Sequence, residues 1–264
     1  GVLPHEMPSH WPLEALKAQA VASRSYALWK AAHQESENYD LRTSVLDQMF
    51  RMNKINESTS LPKNVQEALR STAGLSLKDN NKNVVKAYFH SDCGGATDGA
   101  KNVWGTDSSQ PTIRDVACAQ RKSGWQSSWP VDRLQQRLAS EFFLPPDSQL
   151  QDVVVRTHLE SDRVEKVDLI FKGGILKRVR GEDVRRVLGY DKIKSTLFAI
   201  QKDSGQFIFK GRGFGHGVGL CQHGARAMAQ AGNNYQAILN HYYPSSTLQS
   251  PPHLRETTVS SLVE

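Results

Sequence analysis

Between Gly211 and Gly219 the chain reads GRGFGHGVG, with glycine at every second position. If this run is extended, a period of two places the five glycines on one face and Arg212, Phe214, His216, Val218 and Leu220 on the other. The bare face then admits very close approach by another segment or by a flat ligand. Glycine-rich strands also occur at barrel corners and bulges, where no ligand is involved. The run contains no G-x-G-x-x-G in a strand-to-helix context and the chain has no G-x-x-x-x-G-K-[ST], so a phosphate cradle is not expected.

The 264 residues suffice for one large domain or two small ones with a sizeable core. A net charge of +6 and a pI near 9.2 favour an anionic partner such as an acidic glycan or a membrane surface. The basic residues are scattered, without the stripe or aromatic interleaving of nucleic-acid modules, so no nucleic acid is expected. No apolar run reaches bilayer length, and an integral membrane protein is not expected. The chain opens on Gly1 without a leader, consistent with removal of a signal peptide together with other upstream sequence.

The stretch PLEALKAQAVASRSYALWKAAHQ, with Pro12 suited to the first helical position, predicts a buried helix that is apolar nearly all round. Arg24 falls within its Leu13, Leu16, Ala20, Ala27 and Ala31 sector, with Lys17 at the margin. A cation there needs a partner or a ligand, and a structural carboxylate such as Glu14 serves as well as a substrate. Residues 36–61 read as irregular surface, PKNVQEALRSTAG as a short helix closed by Gly74, and LSLKD with VVKAYFHSD as a hairpin about NNKN. From Trp125 to Gly205 a helix (131–140), several strands and a helical turn at GEDVRRVLG alternate. Two helices, CQHGARAMAQAG and YQAILNHYY, close the fold, and residues 251–264 read as a mobile tail. The expectation is an α+β fold with a buried N-terminal helix, antiparallel β segments and C-terminal helices. It would form one large domain over 1–250 with a smaller central lobe.

Cys93, Cys118 and Cys221 cannot all pair within one chain, and buried free thiols are the ordinary expectation. With His90 they also have ligand types suited to zinc, at widely separated positions. No metal or cofactor is otherwise required. Cys93 with His90 or His216 as a thiol nucleophile lacks a peptidase context.

Four blocks, GVLPHEMPSHWPLEALKAQAVASRSYAL, AYFHSDCGGATDGAKNVWG, VRRVLGYDKIKSTLF and GRGFGHGVGLCQHGARAMAQAGNNYQAILNHYYP, together resemble the stage II sporulation protein D / amidase enhancer family. The resemblance spans nearly all of 1–250 and implies that the chain begins inside the family's usual first block. It implies an exported protein of the periplasm or cell envelope that binds peptidoglycan glycan strands. In sporulation members this is a lytic transglycosylase that cuts strands stripped of stem peptides; in the enhancer branch, a non-catalytic module that stimulates a cell-wall amidase. The family's glutamate carries over to Glu6 and its helical arginine to Arg24. On this reading Arg24, Lys17, Lys210, Arg212, His216 and Gln222 face the substrate. In an oxidising compartment a Cys93–Cys118 disulfide is an alternative use of two of the thiols.

Overall fold

The computed structural model describes residues 2–33, 61–105, 111–115, 118, 124–144 and 148–250. The stretch at 36–60 and the tail at 251–264 lie outside the described residues. The fold is α+β, and the chain divides into two compact units, Gly1–Ala87 with Gly232–Glu264, and Tyr88–Ala231.

The first unit holds α1 (Leu3–Glu6), α2 (Leu13–Ala32), α3 (Lys63–Ser71), β1 (Ser76–Lys78), α8 (Tyr235–Tyr242) and β10 (Thr247–Gln249). α2 is the expected buried helix: its alanines and Leu16 let α3, α8 and β1 pack closely around it, and even Gln19 and Ser25 are buried. Ser25 is tolerated inside because its hydroxyl donates to the Val21 carbonyl and accepts from the Leu77 amide. Pro12 caps the helix just before its first residue rather than occupying it. α8 begins at Asn234, whose side chain accepts from the Ala237 amide.

The second unit holds β2 (Phe89–His90), α4 (Ala100–Trp104), β3 (Gly124–Pro130), α5 (Val131–Glu141), β4 (Leu150–His158), β5 (Val164–Phe171), β6 (Leu176–Arg180), α6 (Gly181–Leu188), β7 (Phe198–Asp203), β8 (Gln206–Arg212), β9 (Leu220–Cys221) and α7 (Gln222–Gln230). Two antiparallel three-stranded sheets, β4-β5-β6 and β3-β8-β7, share a core that includes Leu134, Leu169, Phe171, Ile193, Phe207 and Phe209. A two-residue turn joins β7 to β8, with Ser204 and Gly205 both at positive φ (45° and 79°), a geometry whose twist suits a tight hairpin.

Two expectations are corrected. The segments around NNKN form only a short hairpin: Asp79 accepts from the amides of Asn81 and Asn83, the Asp79 amide donates to the Asn83 carbonyl and the Val85 amide to the Leu77 carbonyl, both at 2.9 Å, about an antiparallel bridge between Lys78 and Val84, and the pairing does not run on along the two segments. β1 in addition pairs antiparallel with β10, and β2 pairs parallel with β9. The glycine run is not a strand beyond Arg212: Gly213, Gly215, Gly217 and Gly219 all have positive φ, so the run turns at alternate residues instead of sorting its side chains onto two faces.

Candidate functional site

In the second unit the glycine run lies backbone to backbone on the other glycine-rich loop, Asp92 to Asp98. Asp92 and Phe214 exchange both amide-to-carbonyl bonds at 2.9 and 2.8 Å, and the Asp98 amide donates to the Gly217 carbonyl at 2.7 Å. A Cβ at Gly213 would come within 2.9 Å of the Asp92 carbonyl oxygen, and one at Gly217 would overlap the Arg163 guanidinium. The bare backbone therefore serves close approach by protein, which is one of the alternatives the alternation allowed. Arg163 is wholly buried and donates to the carbonyls of Cys93 (2.8 Å) and Ala96 (3.4 Å), so a cation holds the loop from beneath.

The side chains predicted on this run separate. Lys210 and Arg212 are exposed near the end of β8, and Arg212 donates from Nε to the Gly94 carbonyl at 2.8 Å. His216 turns inward: its Nδ1 accepts from the Val218 amide, and its ring lies 4.9 Å from Trp104 and 5.5 Å from His90, centroid to centroid. Desolvation, then the neighbouring His90, lowers its pKa well below the usual value. His90 is likewise buried, bonded through Nδ1 to the Val218 carbonyl, and burial pulls its pKa down to about 3. Gln222 is buried in the first turn of α7.

The three cysteines come together, all free and all buried. Cys118 Sγ lies 3.6 Å from Cys221 Sγ and 3.1 Å from Asp92 Oδ1. The fourth member is Asp115, with Oδ2 3.8 Å from Cys93 Sγ; His90 is not in the group. The four candidate ligand atoms lie within 4.8 Å of one another. Bonds from Cys221 and then Cys93 hold the Cys118 thiol far below its ordinary pKa. The bond to Cys118 raises that of Cys93, and burial raises that of Cys221.

In the first unit, Leu3 and Pro4 open the single turn of α1 and Glu6 ends it; Glu6 is half-buried, and Leu3 and the following Met7 are 3% and 1% exposed. α1 packs on α2. Along α2, Arg24 donates from Nη1 to the carbonyls of Thr72 (2.8 Å) and Leu75 (2.7 Å), tying the end of α3 to the approach to β1. Burial lowers its pKa. Lys17 pairs with Glu14 at 2.7 Å, and the other Glu14 oxygen accepts from the Tyr235 amide at 2.8 Å. These two cations are thus engaged inside the unit, and Glu14 partners Lys17.

A family model described as Stage II sporulation protein matches residues 1–78, and one for a domain of unknown function matches 118–219. The amidase enhancer of Bacillus subtilis is 28% identical over 294 residues, covering 95% of this chain and 40% of that protein. The stage II sporulation protein D of Bacillus amyloliquefaciens is 29% identical over 262 residues, covering 92% of this chain and 70% of that protein. The chain is similar to the stage II sporulation protein D / amidase enhancer family. An uncharacterized protein of Brachyspira hyodysenteriae is 33% identical over 247 residues, with 92% of this chain and 63% of that protein covered. The chain therefore spans less than two thirds of the length of some family relatives.

The sporulation-family match contains Glu6, Lys17 and Arg24; the second contains Cys118, Lys210, Arg212 and His216. Cys93, Asp115, Cys221 and Gln222 lie outside both. Sequence reasoning missed Asp115 and Arg163. Asp115 carried a signal, its position three residues before Cys118 in the sequence. Arg163 carried none, because a buried arginine in a loop looks like any solvated one until its carbonyl partners are known.

Proposed function

We propose that the chain is an envelope protein that cleaves peptidoglycan as a lytic transglycosylase. Its target would be the β-1,4 bond between N-acetylmuramic acid and N-acetylglucosamine in strands lacking stem peptides. The observation carrying this reading is Glu6: a half-buried acidic residue at the end of a one-turn helix, inside the stretch matched to the Stage II sporulation protein family.

One carboxyl suffices for this reaction, whereas a hydrolysing glycosidase ordinarily needs two. Glu6 gives its proton to the bridging oxygen, which departs with N-acetylglucosamine. The C6 hydroxyl of the muramic acid attacks its own C1, and the Glu6 carboxylate takes the hydroxyl proton, leaving a 1,6-anhydro end with no water consumed. Stripped strands carry a lactyl carboxylate on each muramic acid, which suits a chain with a net charge of +6. Arg24 and Lys17 bond to protein partners within the first unit, while in the second His216 packs on Trp104 and His90, Gln222 is buried, and Lys210 and Arg212 are exposed.

The second reading is a glycan-binding enhancer of a cell-wall amidase. It is supported by the likeness to an amidase enhancer over 95% of the chain and by the internal engagement of Lys17 and Arg24. Incubation with denuded strands and mass spectrometry separates the two. Products one water lighter than hydrolytic fragments, abolished by Glu6→Gln, are expected. Strand binding without cleavage favours the enhancer, and hydrolytic masses refute the single-carboxyl mechanism.

A further inference from the structure

We propose that Cys93, Asp115, Cys118 and Cys221 form a structural zinc site. Four buried ligands of the kinds zinc prefers converge from three separated stretches of chain. Their spacing suits a tetrahedron: zinc–sulfur bonds of about 2.3 Å imply a sulfur–sulfur edge of about 3.8 Å. The Cys118–Cys221 separation is 3.6 Å and the Cys93–Asp115 approach is 3.8 Å. A disulfide would require the two sulfurs to close from 3.6 Å to about 2.05 Å.

Backbone amides are aimed at the candidate ligand atoms. The Cys93 and Gly224 amides donate to Cys221 Sγ at 3.2 and 3.3 Å, and the Gly95 amide to Cys93 Sγ at 3.4 Å. The Cys118 amide donates to Asp115 Oδ1 at 3.0 Å, leaving Oδ2 toward the sulfurs. Such amide donors, and the start of α7, which Cys221 caps, complement the charge that sulfur carries once it binds a metal. Arg163, bonded to the Cys93 carbonyl, offsets part of the negative charge that three thiolates and a carboxylate retain around a divalent ion. Soft sulfur ligands in a tetrahedral frame select zinc over magnesium or calcium.

Four protein ligands close the coordination shell, so the ion leaves no position for substrate and its role is mechanical. It joins the 92–95 loop, Asp115 and Cys118, and the start of α7, bracketing the glycine run between Arg212, bonded to Gly94, and Cys221. This site is independent of the glycan-cleavage reading, and its test does not use cleavage.

The full chain, purified without chelator from zinc-replete cells, is expected to hold about one zinc per chain by elemental mass spectrometry. A thiol-blocking organomercurial should release it to a colorimetric chelator in step with modification of the cysteines. Cobalt(II) added to stripped protein should give the intense visible bands of a tetrahedral thiolate site and a thiolate-to-cobalt charge-transfer band. Cys221→Ser should lose most of the zinc, and Asp115→Asn should weaken retention at least tenfold. Chelation should lower the melting temperature by on the order of 10 °C. Zinc-incubated protein that stays metal-free, with three titratable thiols or with a disulfide, overturns the proposal. So does zinc retained undiminished by both variants. If the variants do not fold, the cobalt spectrum of the unaltered chain decides: octahedral, sulfur-free bands refute the site.

Discussion

Replacing Gly217 by alanine tests whether the glycine run exists to admit Arg163. Gly217 has φ +81°, and a Cβ built there falls on the guanidinium of a side chain with no exposure to solvent. Gly205, in the β7–β8 turn, has nearly the same φ, +79°, and a Cβ there meets nothing within 4 Å. Both substitutions cost the left-handed backbone strain of an L residue, about 1–2 kcal/mol. Gly217→Ala must in addition drive Arg163 off the Cys93 and Ala96 carbonyls, and disturbing a buried charge costs about 3–5 kcal/mol. That difference is a large fraction of the roughly 5–15 kcal/mol that stabilises a typical domain. Urea unfolding of both variants and the unaltered chain, followed by tryptophan fluorescence, measures it from the midpoints at a common slope. In melting temperature the gap between the variants should be about 10 °C. Equal losses in the two variants would refute the argument, because strain would then account for everything and the contact with Arg163 for nothing.

Arg24→Met should destabilise the first unit by about 2–4 kcal/mol, since two carbonyls lose a charged donor. Unfolding unchanged with glycan binding lost would instead make Arg24 a substrate contact. Asp168 is buried between Arg178 and Arg156, and its bonds to Arg178 first and then Arg156 hold its pKa down to about 2. Its contribution is therefore complete above the unfolded carboxylate value of about 3.9 and drains away as pH falls through about 2. Asp168→Asn should unfold more easily at neutral pH, and its stability should vary less with pH over that acid window in denaturant titrations. The Glu6→Gln variant should keep the melting temperature of the unaltered chain to within a few degrees while losing cleavage. A collapse of stability in that variant would make Glu6 a structural residue.

Local pattern carried much of the architecture. The alanine-rich run gave α2, the alternation in DVVVRTHLE and QFIFKG marked β4 and β8, and Asp203-Ser204-Gly205-Gln206 joins two paired strands, each reflecting forces that act within a few residues. Pairings across the chain were not legible. β1 finds β10 and β2 finds β9 at separations where only the packed whole decides which edge is available. The glycine run shows the boundary most clearly: its composition announced close backbone approach, but positive φ at alternate residues, and hence the inward turn of His216, depends on the loop it meets.

For the candidate site, the sequence by itself determined which chemistry was on hand: one acidic side chain near the amino terminus, scattered cations and three thiols. Only the tertiary structure decided their employment. It turned Arg24 and Lys17 to internal partners, left Arg212 and Lys210 exposed, and gathered three distant sulfurs with Asp115 instead of His90. The physical reason is that an ionisable group's role is set by its solvation and by what lies within a few ångströms, and in a folded chain those neighbours come from anywhere along it.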